Sequence, residues 1–213
     1  MNNPLLKRQY SGRYYNATFG IIVVCVLVFF LNYLDPQSRI YLALVPQLIV
    51  GAGAYWEFVT YMFVHATVWH ILFNMLTLFF VGFQVEKRMG SNEFVAFYMI
   101  SGVGAGVISF IIYMATGSYG VILLGASGAI FAVLLAYATF FPDSMIYVFG
   151  ILPIRAPYLV LIYTAIELFS SIFGLASGVA HLTHLAGFVI GYLYLLARIG
   201  VNPFRVFFGR SRW

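Results

Sequence analysis

Charge is scarce in this chain. Of its 213 residues, 8% are Asp, Glu, Lys or Arg, 63% are hydrophobic, and the mean hydropathy is +0.97. An ordinary soluble domain carries about a quarter charged residues, so a soluble enzyme, a disordered chain and a nucleic-acid binder are all excluded. Cysteine is almost missing. Cys25 stands alone in an apolar run, which rules out an intramolecular disulfide. There is no low-complexity linker, no internal repeat, no Arg- and Ser-rich transit peptide and no H-E-x-x-H metal motif.

What the chain has instead is long apolar runs. A bilayer core takes about 20 apolar residues per helical span. Six stretches qualify, at roughly Phe19–Leu34, Val68–Val85, Phe94–Ala115, Ser127–Phe141, Pro157–Phe173 and Val179–Ile199. Asp35-Pro36, Glu86-Lys87-Arg88, Thr116-Gly117 and Pro142-Asp143 supply the stops. The expected fold is therefore an all-α polytopic membrane protein with six transmembrane helices. Residues 1–18 form a basic cytoplasmic N-terminus, 19–199 the membrane domain and 200–213 a basic cytoplasmic tail. The first span has no A-x-A-like cleavage site and reads as a retained anchor.

The basic residues give the orientation. With the N-terminus inside, Lys7, Arg8, Arg13, Lys87, Arg88, Arg155, Arg198, Arg205, Arg210 and Arg212 all fall in cytoplasmic segments, and of the 11 basic residues Arg39 alone falls outside. The net charge of +5 is then a topology signal. The long outer connection, Asp35–Thr67, carries Tyr41, Trp56, Phe58, Tyr61 and Phe63. It fits either an interfacial belt or a packed functional loop.

Polar groups inside spans are costly unless paired, so the four histidines are informative. His65, His70, His181 and His184 all fall near the outer ends of spans two and six. His70, Asn74 and Thr77 share one helix face, whereas His65 lies about 140° away and belongs to the preceding loop. The His70/Asn74 pair reads as interhelical hydrogen-bond glue or as a donor pair. Span four opens Gly125-Ala126-Ser127-Gly128, which is either a small-residue packing patch with Ser127 as cap, or an exposed hydroxyl at the positive end of a helix dipole. In span six, Gly187 and Gly191 form a close-packing ridge one turn past His184, and the small residues of span four are its natural partner. That contact would bring Ser127 to a histidine able to act as its base.

Taken together, His65, His70-Ile71-Leu72-Phe73-Asn74, Glu86-Lys87-Arg88-Met89-Gly90, Gly125-Ala126-Ser127-Gly128 and His184 with Gly187 and Gly191 resemble the rhomboid intramembrane serine proteases, in the family's order and over nearly the whole chain. The resemblance implies a six-helix rhomboid-like bundle and an intramembrane serine endopeptidase. Ser127 is then the nucleophile and His184 the base, with His70, Asn74 and the Ser127 N–H as oxyanion donors. His65, Gly125 and Phe131 support the site. It implies no cofactor and no metal, and single-pass membrane proteins as substrates. It also implies a multi-pass location in a prokaryotic cell membrane, contact with membrane lipid, and a site opening to the outer face. Trp56-Glu57 stands where a Trp-Arg pair is common in the family, and Phe131 where tyrosine is frequent.

Glu167 falls inside span five at the depth of His184. It reads as a paired structural group, or as one that orients a histidine or binds substrate. His181 reads as a neighbour of the base. Two other readings remain. One is a histidine-based metal-binding membrane protein, although no carboxylate has an obvious ligand spacing to the histidines. The other is a catalytically silent rhomboid-like binder of membrane proteins.

Overall fold

The structure, a computed structural model, describes residues 13–148, 150–173 and 178–209. Lys7, Arg8, Arg210 and Arg212, which carry part of the expected basic flanks, lie outside the described residues.

Helix α1 (Ala17–Leu34) leads into a connection of short helices: α2 (Pro36–Leu42), α3 (Pro46–Ala52) and α4 (Glu57–Thr60), with a 3₁₀ turn at Tyr61–Phe63. Then come α5 (Val68–Met89), α6 (Ser91–Ala115) and α7 (Ser127–Phe140). A hairpin follows, β1 (Met145–Val148) pairing antiparallel with β2 (Leu152–Arg155). Helices α8 (Ala156–Phe173), α9 (Gly178–Tyr194) and α10 (Pro203–Phe208) complete the described chain. π-helical turns interrupt α5 at Leu78–Gly82 and extend α9 through Leu195–Ile199.

Among the described residues, five helices are long and apolar enough to cross a membrane, and α7 is a shorter apolar one. At 1.5 Å per residue, α7 spans about 21 Å against about 30 Å of hydrocarbon. It is the central helix: every residue from Gly128 to Phe140 except Phe131 is buried. Ser127, the first residue of α7, lies on the wall of a recess.

Local chemistry explains the boundaries. Asp35 caps α2, accepting from the Gln37 N–H at 3.1 Å, and Pro36 fills the first position. Thr67 caps α5 through the His70 N–H at 3.1 Å. Gly90, at φ 85°, turns the chain between α5 and α6. Glu86, which the sequence presents as part of a charged stop, points inward instead. Its carboxylate accepts the Ala17 N–H at 2.7 Å and the Thr18 N–H at 2.8 Å, together with the Ser91 hydroxyl. The start of α1 has no side-chain cap of its own. A distant carboxylate satisfies its orphan donors and the positive end of its dipole.

The connection between α1 and α5 is tied down at several points. Leu44 and Leu123 exchange two backbone hydrogen bonds of 2.9 Å, and the Gly125 N–H donates to Tyr61 O at 2.9 Å. Thr60 Oγ1 donates to Leu42 O at 2.7 Å, and the Tyr61 hydroxyl to Gly102 O at 2.6 Å. These bonds fix the Leu123–Gly125 segment that delivers Ser127. The connection is thus a packed scaffold, with exposed Tyr41, Tyr55 and Trp56 on its outside.

Glu57 belongs to that scaffold. It is fully buried and accepts the Val45 N–H at 2.7 Å through Oε2, while Oε1 has no partner among the described residues. Burial raises its pKa above the usual carboxylate value, partly offset by the Val45 N–H. A carboxyl whose folded pKa is raised makes the fold less stable as pH climbs past the unfolded value near 4.5. Glu57→Gln keeps an acceptor for Val45 and removes the charge. Its melting temperature is expected to exceed that of wild type at pH 8, with the gap closing toward pH 4. Thermal denaturation across that range checks the sign.

Candidate active site

Ser127 is the first residue of α7. Its approach depends on Gly125, whose φ of +119° is strained for any side chain, and a Cβ there would lie 2.8 Å from His70 Nε2. The Ile130 N–H donates to Ala126 O at 3.0 Å, which closes the first turn of α7 behind Ser127.

Small residues bring α9 against α7. A Cβ at Gly187 would lie 2.0 Å from the carbonyl oxygen of Gly128, and one at Gly191 would lie 2.7 Å from the Ala132 Cβ. The helices therefore pack backbone to backbone one turn beyond His184. At that spacing His184 Nε2 sits 2.7 Å from Ser127 Oγ. Phe131, one turn along α7, stacks on the imidazole with ring centroids 4.3 Å apart and planes within 8°. The ring is held on its other nitrogen too: Nδ1 lies 3.0 Å from Glu167 Oε1 on α8, and Glu167 Oε2 lies 2.5 Å from His181 Nδ1.

The third wall is α5. His70, Asn74 and Thr77 line the recess, as their shared face requires. The Asn74 side-chain amide donates one hydrogen to His70 O at 2.8 Å. An amide carries two, so this bond fixes the group and leaves a donor. His65 is fully buried behind the site, with Nδ1 3.2 Å from Phe63 O and its ring edge-on to His70 at 5.1 Å. Desolvation, reinforced by His70, lowers its pKa to about 4, so it is neutral at physiological pH. The recess has a volume of about 340 Å³, with His70, Asn74, Gly125, Ser127, Phe131 and His184 on its wall. His181 and Glu167 lie to one side.

A hydroxyl against an imidazole, with hydrogen-bond donors across a shared cavity, can perform acyl transfer. Glu167, His181 and His184 are also the residues that could hold a metal ion, with ligand atoms within 4.8 Å of one another. The carboxylate missing from the ligand spacing in sequence comes from a different helix.

Comparison with known proteins gives the family. The Rhomboid domain model matches residues 52–200, more than half of the chain. The chain belongs to the rhomboid family. It is 31% identical over 160 residues to the rhomboid protease AarA of Providencia stuartii, covering 69% of this chain and 57% of that one. It is 26% identical over 178 residues to the rhomboid protease GlpG of Haemophilus influenzae, covering 83% and 88%. RHOMBOID-like protein 1 of Arabidopsis thaliana is 33% identical over 158 residues, which are 72% of this chain and 38% of that one. The chain thus spans well under two thirds of some of these relatives. It is an integral membrane protein with the helical bundle of the rhomboid domain.

Two features of this rhomboid domain went unread in the sequence. One is the simultaneous hold of Glu167 on both α9 histidines. The i, i+3 spacing of His181 and His184 was the available signal, since it puts both on one face. The other is the role of Glu86 as a cap for α1. No local pattern could reveal it, because the partners lie 68 and 69 positions apart in the chain.

Proposed function

We propose that this protein is an intramembrane serine endopeptidase that hydrolyses peptide bonds in or next to the membrane span of single-pass protein substrates. The observation that carries the reading is the 2.7 Å approach of Ser127 Oγ to His184 Nε2 on the wall of a recess between apolar helices. His184 Nε2 takes the hydroxyl proton as Ser127 Oγ attacks the scissile carbonyl carbon. The carbonyl oxygen becomes an oxyanion facing donors from His70, Asn74 and the Ser127 N–H. Collapse breaks the C–N bond, and His184 returns the proton to the leaving amine. Water entering the recess then attacks the acyl-enzyme with the same base, releasing the acid and restoring Ser127. Phe131 holds the imidazole plane, Gly125 lets the His70 ring approach, and His65 backs that ring.

Purified protein and its Ser127→Ala variant, incubated in liposomes with a model single-pass substrate, test the reading. Cleavage by the first and none by the second is the expected result.

Asn74 contributes as a donor that meets charge in the transition state. Asn74→Ala is expected to lower kcat by about 10²-fold with little change in KM. An early-melting variant with near-normal kcat would return Asn74 to a packing role, so kcat, KM and melting temperature are measured together.

The protein sits in a prokaryotic cell membrane, with residues 1–18 and 200–213 as cytoplasmic flanks of a 19–199 membrane domain and the recess opening outward. The distribution of basic residues supports this orientation. Cysteines placed near Arg13, in the 142–155 hairpin connection and near Arg205 are expected to label from the cytoplasmic side, and one near Trp56 from the outside.

A further inference from the structure

The resemblance to the family implies a Ser–His pair with no acidic member, yet here the imidazole has a carboxylate behind it. We propose that Glu167 is the third member of a Ser127–His184–Glu167 relay. It acts as a positioning residue that sets the tautomer of His184 and stabilises its protonated form, with His181 holding the carboxylate's second oxygen. The inference rests on the serine-protease reading above.

The geometry specifies the proton positions. Glu167 approaches His184 Nδ1 at 3.0 Å and His181 Nδ1 at 2.5 Å, one oxygen to each. An ionised carboxylate only accepts, so each imidazole places its N–H on Nδ1. For His184 this leaves the Nε2 lone pair facing Ser127 Oγ, 2.7 Å away, which is the tautomer a base requires. When the Ser127 proton moves to Nε2, the ring becomes an imidazolium. Its Nδ1–H stays in place, and the Glu167 charge beside it offsets the new positive charge. No proton passes to Glu167.

Burial makes the arrangement costly unless it is used. Glu167 is 8% exposed and sits within an apolar helix. A carboxylate at such a depth needs partners, and His181 alone would have satisfied it. The second contact goes to the one histidine that also touches Ser127. That histidine is clamped on its face by Phe131, so the ring is fixed in plane, tilt and tautomer.

The test compares wild type, Glu167→Gln and Glu167→Asp as full-length protein in detergent. The readouts are substrate cleavage, the rate of Ser127 labelling by a fluorophosphonate probe, and melting temperature. A glutamine at 167 can accept from one histidine but presents N–H to the other, which disturbs the tautomer. Glu167→Gln is expected to lower kcat and the labelling rate by about 10²-fold with KM little changed, and Glu167→Asp to recover most of that loss.

The split of kcat from KM, together with rescue by Glu167→Asp, gives a readout that a structural role would not move.

A folded Glu167→Gln with wild-type kcat and labelling rate overturns the proposal. If that variant does not fold, a wild-type kcat and labelling rate in folded Glu167→Met, which has no carboxylate, overturn it instead. Activity lost to a chelator and restored by zinc also overturns it, because the trio is then a metal site. Absence of any Ser127-dependent labelling in wild type overturns the protease reading and the relay together. Labelling that is Ser127-dependent but indifferent to Glu167 overturns the relay alone.

Discussion

Ser127→Ala is expected to abolish cleavage while leaving the protein inserted and folded, and His184→Ala is expected to do nearly the same. A nucleophile and its base act as one unit, so losing either removes almost the whole covalent route, by about 10⁴-fold or more. The double variant should be little worse than either single one. Ser127 packs at the start of α7, where removing one oxygen leaves the backbone contact of Gly128 with Gly187 intact. The melting temperature of Ser127→Ala should therefore stay close to wild type. His184→Ala also empties the ring space under Phe131 and frees a face of Glu167, so a modest drop in stability accompanies its loss of activity. Rates measured against a model single-pass substrate, alongside melting curves, separate these effects.

Gly187→Ala is the second large effect. The added methyl would fall 2.0 Å from Gly128 O and 2.9 Å from Gly128 C. These are backbone atoms, so no side chain can swing aside, and α7 and α9 must separate by about 1 Å. Overpacking of this kind costs about 1–3 kcal/mol. The separation also pulls Ser127 from His184, and a misplacement near 1 Å can cost about 10² in rate. Gly191→Ala is the comparison. Its methyl would meet the Ala132 Cβ at 2.7 Å, one turn further from the dyad. It should destabilise the protein similarly but reduce kcat less. Equal kcat losses in the two folded variants would contradict a role for the Gly128–Gly187 contact in setting the Ser127–His184 distance.

The spans were legible because apolar runs and their breakers are local properties. Thr67 caps the start of α5 with its side chain and Gly90 ends it with a positive φ, both acting within a few residues. The pairing of α7 with α9 was also legible, since Gly187 and Gly191 require a small-residue partner and Gly128 and Ala132 provide one. His70 and Asn74 come to one face through helical periodicity alone. What stayed hidden depends on contacts between distant segments. The hairpin Met145–Arg155 is short, and nothing in it alternates strongly enough to announce a strand. The packed state of the connection between α1 and α5 rests on the Leu44–Leu123 bridge and the Tyr61 contacts, which no local pattern encodes. Glu167 could be seen as an intramembrane carboxyl, but not which histidine it would hold, because the rotation of α8 against α9 is set by packing.

The most direct test of the central claim is to react the purified protein with a fluorophosphonate and locate the adduct by mass spectrometry. The account predicts one covalent adduct on Ser127, formed at a rate that collapses in His184→Ala. An active wild-type protein that leaves Ser127 unmodified, or carries the adduct on another residue, would contradict it.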